Sequence, residues 1–295
     1  MDAFSVPYGS DNPVFYDNDD HRDVYTDEFL LALSSAGKID LKGISTTYSA
    51  NQEEYELFVE GRENIVELAA SSDMSALPPT FVGPDESLQE PSSGVIGDTE
   101  PIGTEATDGL IEAAKEATPQ NPLVVITGGP LTVVADAYLH ESSITESVIV
   151  ASLLGTLQDT SMHNGQLDSW ATHIVTRKFE YVQFPTGLWA PTVQKHDLQR
   201  RLPSSPLAEW MLDKSHPSNH LPGGADHDGQ PAIPLTSNTY VEGVINCSVA
   251  AWKNGINYFG DDPDGNISLV IRADGHSSGQ KAFFDALCDP AAYHS

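Results

Sequence analysis

The chain has 295 residues, 43 of them acidic against 14 basic, for a formal charge of -29. So few cations cannot neutralise a run of phosphates, which argues against a nucleic-acid partner and disfavours anionic membrane surfaces. Hydrophobic residues make up 39%, yet no apolar run reaches the ~20 residues of a membrane span, so an ordinary packed core is expected.

Taken in chain order, residues 14–16 predict a short strand, and 28–35 an amphipathic helix ended by Gly37. Residues 41–48 return to β-branched strand character, and 53–71 read as a long helix with an acidic outer face. This alternation opens an α/β domain with a mostly parallel central sheet. Residues 77–109 are rich in Pro, Gly, Ser, Asp and Glu and read as a long surface connection. A helix near 105–117 follows, then a buried-type strand at 123–127, a Gly-Gly-Pro turn and a helix at 131–139. A second strand–helix pair is expected at 148–154 and 169–176.

Residues 200–236 are again Pro-, Gly- and His-rich, and 239–253 read as a helix. "GDDPDGN" at 260–266 reads as an acidic hairpin turn, 267–273 as a strand and 279–287 as a closing helix. No repeat or linker divides the chain, so one α/β domain over 1–295 is expected. Cys247 and Cys288 lack metal-ligand spacing and read as buried thiols. The first five residues carry neither a basic nor an apolar stretch, so no signal peptide is visible. The chain reads as cytoplasmic if complete, and as exported if a leader has been removed.

Between the first strand and helix stand Asp17, Asp19, Asp20, Asp23, Asp27 and Glu28. Helix capping accounts for one or two of them. Carboxylates crowded without basic partners are also the ligand set of a hard cation such as Ca²⁺. As an EF-hand loop the segment fails at Arg22, where Gly is needed. As a phosphotransferase Asp-x-Asp motif it fails at His21, where Thr or Val would stand.

The stretch from Asp17-Asn18-Asp19 to Asp27 and "EFLLAL" resembles the opening Asp-x-Asp-Pro-Gly-x-Asp-Asp motif of the calcium-dependent nucleoside hydrolases, with a few residues inserted. Further segments resemble the family in order: "GISTTYSAN" ending at Asn51, "ITGGPLTVVADAYL" with Gly129 to Thr132, "MHNGQLDSWATHIV" with Asn164 and Asp168, and "ADHDGQPA" with His227 and Asp228. The resemblance implies a Rossmann-type open sheet, a bound Ca²⁺, and hydrolysis of the N-glycosidic bond of a nucleoside or related ribosyl compound. By the same match Asp19 is base and metal ligand, Asp27, Asp228 and the Thr132 carbonyl are ligands, and Asn51, Asn164 and Asp168 face the substrate. His227 would act as acid to the leaving base, an imidazole being suited to neutral pH, although His216 and His220 share its stretch. Trp170 and Trp189 read as core residues that could otherwise stack on a base. Relatives are commonly homo-oligomers.

Four departures stand out. Asp20-His21 replaces Pro-Gly, and Thr26-Asp27 replaces the paired aspartates, so that Asp23 would have to supply the missing carboxylate at metal or ribose. Val133 replaces the Asn after Gly-Pro-Leu-Thr, and Met162-His163-Asn164 replaces Glu-Phe-Asn. The metal set survives better than the sugar set. That leaves a second reading open: a non-catalytic, calcium-dependent binder of a ribosyl or other sugar ligand.

Overall fold

A computed structural model describes residues 5–20, 25–48, 55–188, 192, 195–213, 228–237, 239–274 and 279–288. Within them the strands are β1 (Pro13–Asn18), β2 (Asp40–Thr46), β3 (Thr80–Val82), β4 (Leu123–Thr127), β5 (Val148–Leu153), β6 (Glu180–Phe184), β7 (Val241–Lys253), β8 (Ile256–Asp261) and β9 (Ile267–Ala273). They form one sheet in the order β3-β2-β1-β4-β5-β6-β9-β7-β8. Pairings from β3 through to β9 are parallel, and β7 runs antiparallel to both β8 and β9. The helices are α1 (Thr26–Ser35), α2 (Tyr55–Ser71), α3 (Glu105–Glu116), α4 (Thr132–His140), α5 (His163–Leu167), α6 (Ser169–Lys178), α7 (Lys195–Arg201), α8 (Pro206–Leu212) and α9 (Gln280–Cys288). The expected α/β class with a mostly parallel sheet is what the chain adopts. None of the described helices is long and apolar enough to cross a membrane.

The apolar runs of the central strands follow from burial on both faces. Val14, Tyr16, Val124, Ile126, Ile149 and Ala151 point to one face, covered by α1, α2, α8 and α9. Phe15, Leu123, Val125, Val148 and Val150 point to the other, covered by α3, α4 and α6. Each large side chain so buried contributes about 1.5–3 kcal/mol. Local signals fix the helix starts. Thr104 and Thr107 form a reciprocal capping box on α3, and Ser205 caps α8, which begins with Pro206.

One expectation fails outright: residues 239–253 are not a helix but belong largely to β7. Val241, Val244, Ile245, Val249 and Trp252 have helix-like spacing because bulges near Gly243 and between Val249 and Ala251 interrupt the strand's two-residue alternation. The long connection at 77–109 contains β3, and α5, β6, α7, α8 and β8 are elements that the sequence patterns do not predict. The acidic turn at 260–266 is not a hairpin; it carries the chain from β8 to β9, which flank β7. Cys247 and Cys288 are buried as expected.

Candidate functional site

In open sheets of this kind, ligands gather beyond the carboxyl ends of strands where the order reverses. Here that point lies between β1 and β4, since β1 pairs with β2 on one side and β4 on the other. Asp17 to Asp19 end β1 there, and Gly128-Gly129 leave β4. The two glycines are needed for close approach. A Cβ on Gly129 would lie 2.8 Å from the Asp19 nitrogen, and one on Gly128 would lie 2.7 Å from the Asp228 Cβ and 2.8 Å from the Asn18 Oδ1. Asp19, Asn18 and Asp228 therefore meet over a side-chain-free turn.

Hydrogen bonds order this edge. The Asn18 Oδ1 accepts from the Asp19 nitrogen at 2.8 Å, and its Nδ2 donates to the Tyr16 hydroxyl at 2.7 Å. Asp17 is fully buried, and one oxygen accepts from the Ser45 hydroxyl at 2.5 Å. Burial raises its pKa to about 7, against the lowering effects of Ser45 and Arg62. Asn164, in α5, donates its amide to the carbonyls of Gly128 and Leu153, tying the β4 turn to the end of β5.

Asp27 enters α1 after Tyr25, a buried residue in the left-handed conformation (φ 64°), an uncommon backbone for an aromatic residue. Its Oδ1 accepts from the Arg62 Nε at 2.9 Å, and both side chains are almost wholly buried. Burial raises the Asp27 pKa, opposed by Arg62 and reinforced by Glu28 and Asp20. No motif marks Arg62 in the sequence, although the helix pattern carries a signal. Tyr55, Phe58, Arg62, Ile65 and Ala69 are the buried residues of α2, and their spacing places Arg62 on the inner stripe of a helix whose outer face is acidic.

Thr132 begins α4 and is fully buried; its hydroxyl donates to the Asp168 Oδ2 at 2.9 Å. The same oxygen accepts from the Leu88 nitrogen at 2.8 Å, and the Asp168 Oδ1 accepts from the Ala171 nitrogen at 2.8 Å as the cap of α6. Asp168 thus joins the connection after β3, the start of α4 and the start of α6. Trp170 packs in the core, as expected, stacked on His173 with ring centres 5.0 Å apart. Asp23, Asn51, Trp189, His216, His220 and His227 lie outside the described residues.

The carboxylates suit a hard cation in kind: Asp17 and Asp27 each keep a buried oxygen, Oδ2, with no hydrogen-bond partner. The arrangement is more open than expected. Among the described residues, no three His, Cys, Asp or Glu side chains are grouped to hold a metal. Asp27 is held by Arg62 rather than gathered with Asp19 and Asp228. Beside this edge, past the ends of β2 and β3, lies a cleft of about 1030 Å³ lined by Tyr55, Glu56, Glu60, Gly83, Asp85 and Glu86.

No family model matches the chain, and no curated protein matches it by sequence. Solved structures do match. A purine-preferring ribonucleoside hydrolase from Gardnerella vaginalis is 17% identical, with a TM-score of 0.66 over 95% of this chain and 99% of its own. A plant nucleoside hydrolase is 15% identical, with a TM-score of 0.62 over 95% of this chain and 100% of its own. An inosine-uridine preferring nucleoside hydrolase from Bacillus anthracis is 14% identical, with a TM-score of 0.57 over 95% of this chain and 99% of its own. The chain therefore has the nucleoside hydrolase-like fold, in a strongly divergent sequence.

Proposed function

We propose that the protein hydrolyses the N-glycosidic bond of a ribonucleoside or a related ribosyl compound at the β1–β4 edge, with Ca²⁺ as its cofactor. The observation that carries this reading is the seating of Asp19 and Asp228 against the Gly128-Gly129 turn, at the switch point of a fold shared with nucleoside hydrolases over 95% of the chain. Asp19, Asp228 and the Thr132 carbonyl would hold the cation, with Asp23 as a further ligand, and Asp27 would join them through its second oxygen only if the edge draws together around the ion. A cation bound there would acidify and orient a water toward the anomeric carbon.

Asp19 takes the water's proton, and the surrounding carboxylates stabilise positive charge developing on the sugar ring. Asn51, Asn164, Asp168 and Asp23 would orient the substrate, and His227 would protonate the departing base. The acidic cleft beside the edge disfavours phosphate, which favours an uncharged nucleoside over a nucleotide as substrate. The whole reading takes 1–295 as one domain, and a homo-oligomer as its assembly.

A second reading has its own support. Thr26 stands where the family has a ribose-binding carboxylate, which suits a non-catalytic calcium-dependent ribosyl or sugar binder. Ribose release from a panel of nucleosides, with and without chelator, separates the two. Chelator-sensitive release supports the hydrolase. Tight nucleoside binding with no release over hours overturns it in favour of the binder.

A further inference from the structure

Arg62 is the buried Lys or Arg of the described residues, and α2 delivers it directly beneath the acidic edge. Its Nε donates to Asp27 at 2.9 Å. Its Nη1 donates to the Asn18 carbonyl at 3.1 Å, the Ser45 carbonyl at 2.8 Å and the Thr46 hydroxyl at 2.9 Å. Its Nη2 reaches the Asp20 carbonyl at 3.2 Å, and the guanidinium lies 5.7 Å from the Tyr16 ring centre. One planar cation thereby ties together the ends of β1 and β2, the segment after β1, and the start of α1. A guanidinium suits this task because its donors form a rigid fork and it stays charged when buried.

Fixed positive charge at this point has two effects. It supplies the counter-charge that Asp27 would otherwise draw from a bound metal, so the edge keeps its shape without one. It also repels any divalent ion that shares Asp27, most strongly in a buried, weakly screened site. We infer that Arg62 is a resident cation of the acidic edge, which positions Asp27 and lowers the affinity of the site for an added divalent cation. This rests on the calcium reading above. Arg62 is a positioning residue; it acts through Asp27 and need not touch substrate.

The test is calcium titration by calorimetry, with thermal melts in calcium and in chelator, on the full chain and its Arg62→Gln and Arg62→Lys variants. The wild type should melt at nearly the same temperature in both media. R62Q should bind calcium about tenfold more tightly or better, and its melt should become calcium-dependent. R62K, which keeps the charge, should stay near the wild type. Calcium binding by the wild type with no tighter binding by R62Q overturns the inference and leaves the calcium reading standing. Binding by R62Q alone supports the inference and overturns that reading. No binding by either protein overturns both. If R62Q does not fold, the wild-type titration and melt decide together: weak calcium binding with a melt unchanged in chelator supports the inference, and a large fall in chelator, or no binding at all, overturns it.

Discussion

The Arg62 Nε lies 2.9 Å from the Asp27 Oδ1, with the two side chains 1% and 2% exposed. A buried pair of this kind is costly to break singly, at about 3–5 kcal/mol, because one charge is left without its partner. Arg62→Met and Asp27→Leu should each destabilise the protein by that amount in urea unfolding. The double variant should cost clearly less than the sum of the two. Strict additivity would show that the pair is not energetically coupled.

Asp19 is the residue on which turnover should depend most. Asp19→Asn keeps size and hydrogen-bonding capacity but cannot accept a proton, so ribose release should fall about 10²–10⁴-fold. The melting temperature should change little. Steady-state assays beside a thermal melt check this, and full activity in the variant would remove Asp19 as the base.

Asp168 should matter for stability whether or not a ligand is present. Its carboxylate caps α6 and accepts from Leu88 and Thr132 in the interior. Asp168→Ala removes a cap, worth about 0.5–2 kcal/mol, and leaves buried donors unsatisfied at about 1–3 kcal/mol. A loss near 3 kcal/mol in urea is expected without any nucleoside. A variant of wild-type stability that binds nucleoside poorly would instead make Asp168 purely a substrate contact.

A pH-dependent step should come from His173. Burial lowers its pKa, and Arg177 lowers it further, against the raising effect of the Asn257 hydrogen bond. Folded His173 therefore stays neutral at a pH where an unfolded histidine, with its ordinary value near 6.5, already takes a proton. Its contribution is complete above about pH 6.5 and is lost as the pH falls toward the lowered folded value. Urea midpoints measured downward from pH 8 should fall across this window, and less steeply in His173→Phe.

Salt should stabilise the protein. A charge of -29 on 295 residues gives self-repulsion that screening relieves. The melting temperature should rise as NaCl goes from about 0.01 to 0.5 M, over which the screening length falls from about 30 Å to a few ångströms. A flat response would mean that the acidic side chains are already neutralised by neighbours.

Much of the fold was legible because burial on both sheet faces writes itself into sequence. Residues 123–127 read as a buried strand and form β4 with those bounds. The failure at β7 has a physical source: bulges turn a two-residue alternation into helix-like spacing, and no local signal marks the extra residues. At the candidate site, the motif around Asp17 to Asp27 is expected at the carboxyl edge of the sheet, and it lies there. It could not reveal that Asp27 is held by a residue 35 positions away. That pairing depends on how α2 packs, and only the apolar stripe from Tyr55 to Ala69 hinted that Arg62 faces inward.

Cys247 and Cys288 belong to hydrophobic clusters on opposite sides of the sheet. A wall of paired strands separates the only two thiols in the sequence, so the native chain cannot close a covalent loop on itself. Oxidants and reductants should leave its architecture alike, and the same fold can be carried unchanged between the cell interior and the medium outside.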